Sequence, residues 1–203
     1  MIGIIDYNMG NLQSVLNAFG KLGTKAELVK APEAVARYEK IILPGVGAFK
    51  DAITHLTRNA MDEAIVSFAK GGKPLLGICL GMQLLFESSE EFGFTSGLGL
   101  VPGKIVKFDP ARFETPLKVP HMGWNRLHVT QHSPLFAGMD EAMYLYFVHS
   151  FHAVCDARFA VGMTHYGYDF VSAVQRDNVF GFQPHPEKSH NNGLAILQNF
   201  IDL

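Results

Sequence analysis

The feature that most limits the possible folds is the order of apolar patterns in the first hundred residues. "MIGIID" reads as a short buried strand. In the following "NLQSVLNAFGKLG", Leu12, Val15, Leu16, Phe19 and Leu22 recur at helical spacing, and Gly23 ends the run. "KAELVK" and "KIILP" read as further strands, separated by a helical "PEAVARY" that opens on a proline suited to a first turn. Beyond the loop "PGVGAF" come one helical stretch from Asp51 to Ala69, the strand "PLLGIC", and a helix carrying Leu80, Leu84 and Leu85. Strands that alternate with helices in this way build a parallel sheet through right-handed crossovers.

From about residue 100 the pattern changes. "GKIVKF", "NRLHVT", "MYLYFVHSF" and "FAVGMTHY" each read as one β-type run, and "FVSAVQRDNVFGFQ" as two strands turning at Asp177 and Asn178. The closing "SHNNGLAILQNFIDL" predicts a helix capped by Ser189, with Leu194, Leu197 and Ile201 on its apolar face. The expected fold class is therefore α/β: a layered, mixed but mostly parallel sheet flanked by helices, with an antiparallel portion in the C-terminal half. The 203 residues contain no linker-like segment and no internal repeat, so residues 1–203 are expected to form a single domain.

Composition narrows the chemistry. Charged residues make up 18% of the chain and the formal charge is −2, which gives no polybasic surface for nucleic acid and no basic amphipathic face for a membrane. The opening "MIGIID" lacks the basic flank and apolar stretch of a signal peptide, and no apolar run approaches the roughly 20 residues of a membrane span. A cytoplasmic location is expected. Cys79 and Cys155 are too few and too far apart for a disulfide framework or a zinc module. Cys155 reads as structural and Met122 as a core residue. "GVGAFK" lacks the third glycine of a dinucleotide fingerprint, and there is no P-loop, so no cofactor is expected. His121, His149 and His152 do not suggest a metal, because H-x-x-H on one strand points its rings to opposite faces.

One motif stands apart. In "LLGICLGMQ", Cys79 sits between Gly77 and Gly81 where a strand passes into a helix. Such a turn holds a side chain out above the sheet edge and needs small neighbours where backbones approach. A thiol there is also close to a helix N-terminus, which favours a thiolate. A nucleophile needs a base and the base an orienter. In "FGFQPHPEKS", His185 lies between Pro184 and Pro186, and Glu187 follows two residues later; an extended segment would put both on one side, about 6 to 7 Å apart. A buried thiol is the commoner fate of a free cysteine, and Glu187 with Lys188 would also suit the solvated start of the last helix. The two motifs together favour a Cys/His/Glu relay.

The pattern G-x-C-x-G-x-Q at 77–83 with H-P-E at 185–187 resembles the triad, or class I, glutamine amidotransferase family. "DYNMGNLQSV", "LPGVGAF", "VPHMGWN", "YFVHSF" and "QPHPEKS" resemble its histidine-biosynthesis branch, over Ile4 to Phe200. The resemblance implies that Cys79 attacks the amide of glutamine, His185 shuttles the proton and Glu187 holds the imidazole. It places the oxyanion donors at the backbone of Leu80 and around Val46 or Gly47, in a glycine loop that a partner can switch on. It implies that Gln83, Glu91 and the backbones of Gly47, Ser150 and Phe151 hold glutamine, although "ESSEE" around Glu91 equally fits a charged surface loop. Relatives commonly carry tyrosine where this chain has Phe151.

Asn11, Trp124, Tyr146 and Lys188 match partner-facing positions of the family. A chain of 203 residues cannot also hold a (β/α)8 barrel of about 250 residues, so the implied partner is a separate barrel cyclase that receives ammonia in a heterodimer. Three other readings are an amidotransferase subunit serving surface-polysaccharide sugar synthesis, a cysteine peptidase or esterase, and a catalytically silent binding subunit.

Overall fold

The computed structural model describes residues 1–203. The first half alternates as its pattern predicts: β1 (Ile2–Ile5), α1 (Leu12–Lys21), β2 (Ala26–Val29), β3 (Lys40–Leu43), α2 (Phe49–Thr57), α3 (Met61–Lys70), β4 (Leu75–Ile78) and α4 (Leu80–Leu84). Then follow β5 (Phe86–Ser89), β6 (Thr95–Ser96), β7 (Val101–Lys107), β8 (His121–Val129), β9 (Ala142–His149) and β10 (Phe151–Val154). The chain finishes with β11 (Ala160–His165), β12 (Asp169–Arg176), β13 (Val179–Phe182) and α5 (His190–Asp202).

All thirteen strands join one sheet, whose main path runs β2-β1-β3-β4-β13-β12-β10-β7-β5-β6. The strands from β2 to β13 in that order are parallel. β12 reverses direction against β13, and the hairpin of β8 and β9 leaves the main path through β11. The α/β architecture with a parallel half and an antiparallel half is as the sequence predicts.

The core has two layers, and the strand period of two assigns residues to them. Ile5, Ile41, Leu43 and Leu75 face α2 and α3, while Ile4, Ile42, Leu76 and Ile78 face α1 and α5. Because both faces are covered, the parallel strands read as continuous apolar runs rather than alternating ones.

Several local expectations are corrected. The stretch 51–69 is two helices, not one, broken at Ala60 in the left-handed region (φ 58°). Leu56 and Met61 are both buried but five residues apart, a spacing an unbroken helix would place on different faces. "MYLYFVHSF" is two strands: β9 pairs with β8, whereas β10 pairs with β7 and β12, and the chain changes neighbours at Ser150. β5 and β6 lie in a segment read as helix end and loop. The buried stripe of α5 is Gly193, Ile196, Leu197 and Phe200, with Leu194 and Ile201 only flanking it. Ser189 makes no side-chain cap; its hydroxyl donates to the His185 carbonyl at 2.6 Å and accepts from the Tyr146 N–H at 2.9 Å. Met122 is not core: it points outward from β8 and is 63% exposed.

The tightest packing is where β3, β4 and α4 cross. A Cβ on Gly77 would lie 2.7 Å from the Gly81 carbonyl oxygen, and one on Gly81 would overlap the Leu43 carbonyl oxygen. Gly81→Ala is therefore expected to cost more than about 4 kcal/mol or prevent folding. Gly20→Ala, in α1 with open space around it, is expected to stabilise by about 0.5–1 kcal/mol. Chemical denaturation of the two variants beside the wild type measures both.

Candidate active site

Parallel neighbours end side by side, and this brings distant residues together. β13 runs beside β4 with Phe182 opposite Ile78, and the Cys79 N–H donates to the Phe182 carbonyl at 2.7 Å. The next residues along each strand are thus Cys79 on one side and Gln183, Pro184 and His185 on the other. β3 flanks β4 on its far side, so the loop Pro44–Gly47 that follows β3 closes over the same strand end. The site lies at the carboxyl edge of the parallel strands, where open α/β sheets leave a crevice.

Cys79 itself has φ 55° and ψ −111°, a strained conformation for a residue with a side chain. The residues on its two sides are held by close backbone packing, Gly77 against the Gly81 peptide and Gly81 against the Leu43 carbonyl. The Cys79 sulfur lies 3.7 Å from the Gln183 amide nitrogen and 3.9 Å from the Val148 carbonyl oxygen.

His185 Nδ1 and Glu187 Oε1 are 2.8 Å apart, and both side chains are 2% exposed. The segment is not extended as the spacing suggests: Pro186–Lys188 forms a single 3-10 turn that folds Glu187 back under the ring. Glu187 is therefore not the solvated start of the last helix. The Ser189 hydroxyl and the bond from the His185 N–H to the Tyr146 carbonyl (2.8 Å) tie this turn to β9. Burial by itself would strip the proton from His185. The Cys79 sulfur in its thiolate form, in the same cleft, and the Glu187 carboxylate outweigh it and raise the imidazole pKa to about 10. His185 Nε2 and Glu187 Oε2 are buried without hydrogen-bond partners in the protein.

One cleft of about 250 Å³ is lined by Val46, Gly47, Cys79, Leu80, Gln83, Glu91, Val148, His149, Ser150, Phe151 and His185. Every residue expected to bind glutamine or to form the oxyanion site is thus at one place. Gly47 has φ 103°, open only to glycine without strain, and Val46 beside it is 41% exposed. Behind this loop the buried Tyr7 hydroxyl donates to the Pro44 carbonyl at 2.8 Å. Glu91 is not part of a free surface loop: its Oε2 accepts from the Phe49 N–H at 2.6 Å, at the start of α2.

Gln83 gives one amide hydrogen to the Phe151 carbonyl (3.1 Å) and the other to Gln183 Oε1 (3.0 Å). Only its carbonyl oxygen remains for a ligand. Gln183, fully buried, was not singled out from the sequence, and His149 was weighed there only as a metal ligand; the register of β13 against β4 and the break at Ser150 bring them in.

The expected partner-facing residues occupy one surface. Trp124 is 47% exposed and stacks on His190 at 5.0 Å, with Tyr146 edge-on at 6.1 Å. Lys188 is exposed on the 3-10 turn beside them. Asn11 caps α1 through a bond from the Ser14 N–H, and α1 packs against that turn. Cys155 is a half-buried free thiol that does not line the cleft, its pKa pushed up to about 11 chiefly by burial. His149 and His152 do not point apart: both rings pack on Phe108, at 5.2 and 4.8 Å, because the strand breaks between them. No helix is long and apolar enough to cross a membrane.

A family model described as glutamine amidotransferase class-I matches residues 3–203. The imidazole glycerol phosphate synthase subunit HisH of Sulfurimonas denitrificans is 62% identical over 201 residues, covering 98% of this chain and 97% of that one. The subunit of the same name from Wolinella succinogenes is 58% identical over 204 residues and covers all of both chains. Among solved structures, that of PurLQS from Thermotoga maritima superimposes with a TM-score of 0.78 at 21% identity, over 99% of this chain and 97% of that chain. That likeness shows the fold.

The proton on His185 provides a test. Its raised affinity means that the ring stays charged at neutral pH and loses its proton only as pH rises through about 10. Cys79→Ala removes the largest upward contribution and leaves burial opposed by Glu187 alone. The ring's titration midpoint, followed by proton NMR, is expected to fall by roughly one unit or more in that variant. An unchanged midpoint would assign the shift to Glu187.

Proposed function

The chain belongs to the class I glutamine amidotransferase family, and on that premise we propose that it is the glutaminase subunit of an imidazole glycerol phosphate synthase. The observation that carries the proposal is the meeting of Cys79, strained at its turn, with His185 in one small cleft, the imidazole held from behind by the buried Glu187 carboxylate.

In this reading the Cys79 thiolate attacks the side-chain carbonyl carbon of glutamine, and the carbonyl electrons move onto oxygen. Backbone N–H groups of Leu80 and of Val46 or Gly47 stabilise that oxyanion, with the N-terminus of α4 behind Leu80. As the tetrahedral species collapses, the imidazolium of His185 gives its proton to the departing nitrogen and ammonia leaves. A γ-glutamyl thioester remains on Cys79. Neutral His185 then takes a proton from water, the hydroxide adds to the thioester, and glutamate is released with the thiolate restored. Glu187 keeps Nδ1 protonated so that Nε2 works on the substrate side.

The cleft's remaining polar groups suit the amino-acid end of glutamine. The free oxygen of Gln83 and the second oxygen of Glu91 accept from the α-ammonium group, and the backbones of Ser150 and Phe151 take the carboxylate. Main-chain contacts at Phe151 make the phenol of a tyrosine unnecessary there. About 250 Å³ is below the roughly 300–1,000 Å³ of drug-sized ligand sites and fits a single amino acid better than a peptide.

Ammonia is then consumed by a separate (β/α)8-barrel cyclase, which docks on the surface of Asn11, Trp124, Tyr146 and Lys188. The pair would convert glutamine and a phosphoribulosyl formimino intermediate into imidazole glycerol phosphate, an aminoimidazole carboxamide ribotide and glutamate, in histidine biosynthesis.

Glutamate release by the purified chain tests this. A rate that rises many-fold with the cyclase and its phosphoribulosyl ligand, and disappears in Cys79→Ala, is expected. Glu187→Gln should lower kcat by roughly 10²- to 10⁴-fold. No stimulation by the cyclase would transfer the chain to the polysaccharide branch, and turnover of peptides or esters in place of glutamine would reject the amidotransferase.

A further inference from the structure

Behind the Ser150 to Phe151 wall of the cleft lies a set of buried polar side chains that the chemistry above does not use. His149, at the end of β9, has Nδ1 2.8 Å from the Phe151 carbonyl oxygen. Its Nε2 is 3.0 Å from Nδ1 of His121, directly opposite on β8. Nε2 of His121 is 3.2 Å from the amide nitrogen of Asn125, one pair further along the same face. That amide also donates to the His165 carbonyl at 2.9 Å, and its oxygen accepts from the Arg126 N–H at 2.8 Å.

These contacts admit one arrangement of protons. A carbonyl oxygen can only accept, so His149 carries its hydrogen on Nδ1. The Asn125 amide is oriented by the His165 carbonyl on one side and the Arg126 N–H on the other, so its nitrogen donates to His121 Nε2. His121 must then carry its hydrogen on Nδ1 and give it to His149 Nε2. Both rings are neutral, every polar atom named is satisfied, and all bonds point toward Phe151.

An added proton would set two donors against each other at one of the contacts. The surroundings also oppose charge: His121 is stacked on Tyr166 at 4.1 Å and on Phe147 at 4.8 Å, and His149 packs on Phe108 and Phe170, each at 5.2 Å. Burial accordingly lowers the His121 pKa to about 4 and the His149 pKa well below the usual imidazole range.

The Phe151 carbonyl has a second lone pair, and Gln83 donates to it. From Gln83 the chain continues through Gln183 to within 3.7 Å of the Cys79 sulfur. Hydrogen bonds thus run unbroken from the nucleophile, through the wall of the cleft, to the inner face of β8. The outer face of β8 carries Trp124.

We propose that His121 and His149 are positioning residues for glutamine: as a neutral one-way relay from Asn125 they fix the Phe151 carbonyl, and with it the Gln83 amide and the Ser150 to Phe151 wall. This rests on the glutaminase reading of the cleft. Apolar side chains would fill the same space among the aromatic rings, but without the relay nothing on that side would hold the carbonyl in place against Gln83. The relay acts on substrate binding, since both nitrogens of each ring are already engaged in it and neither is free to exchange protons with the reacting amide.

His121→Phe removes the relay without touching the cleft and keeps a ring between Tyr166 and Phe147. With the cyclase present, it is expected to raise KM for glutamine roughly tenfold, the equivalent of one hydrogen bond, while kcat changes by less than about threefold. His121→Asn, whose amide can replace the Nδ1 donor, should return KM to within about threefold of the wild type. In the wild type, ¹⁵N-histidine NMR should find both His121 and His149 in the Nδ1–H form at neutral pH, a readout that does not depend on a folded variant. The Nε2–H form at either ring, or an unchanged KM in His121→Phe beside an active wild type, would overturn the proposal. A wild type that releases no glutamate would overturn the glutaminase reading, and the proposal with it.

Discussion

The structure depends on the crossing of three backbones beneath Cys79. Gly81 lies against the Leu43 carbonyl at the end of β3, and Gly77 lies against the Gly81 peptide. This contact pulls the start of α4 onto the strand ends, and it forces the single residue between strand and helix into a positive φ. The strain at Cys79 is therefore a result of packing elsewhere, and the close-packed interior keeps it from relaxing. Once the turn is held in this way, the loop after β3 and the segment after β13 lie on its two sides, and the cleft follows.

The buried histidines illustrate how neighbours, rather than burial, decide charge. His185 and His149 line the same cleft, and desolvation disfavours the imidazolium of both. His185 is faced by Cys79 and Glu187, whose negative forms more than compensate, so its pKa rises. His149 is faced by a carbonyl and by His121, and one hydrogen bond does not compensate, so its pKa falls. A charged proton donor and a neutral relay can thus stand side by side in one small site.

The hairpin of β8 and β9 joins these functions through the strand period of two. Outward, it presents Met122, Trp124, Tyr144 and Tyr146; inward, it presents His121, Asn125, Phe147 and His149. Its backbone also holds the triad, since the Tyr146 carbonyl accepts from the His185 N–H and the Tyr146 N–H reaches Ser189. A surface suited to a partner and the back wall of the cleft are therefore opposite faces of the same two strands.

What the sequence determined by itself was local. Apolar periods distinguished the parallel half from the antiparallel half, "GICLG" announced a strand-to-helix turn, and the proline-flanked His185 with Glu187 announced a relay, because each of these signals lies within a few residues of chain. Tertiary structure alone decided how the pieces meet. The register of β13 on β4 set Gln183 against Cys79, and the change of strand neighbours at Ser150 turned His149 and His152 to the same aromatic cluster. The helical stretch after Asp51 broke at Ala60 because two separate buried contacts had to be met. The physical reason is the same in each case: a short pattern records which side of its own element a residue faces, but strand pairing and burial are contacts between segments as much as a hundred residues apart or more.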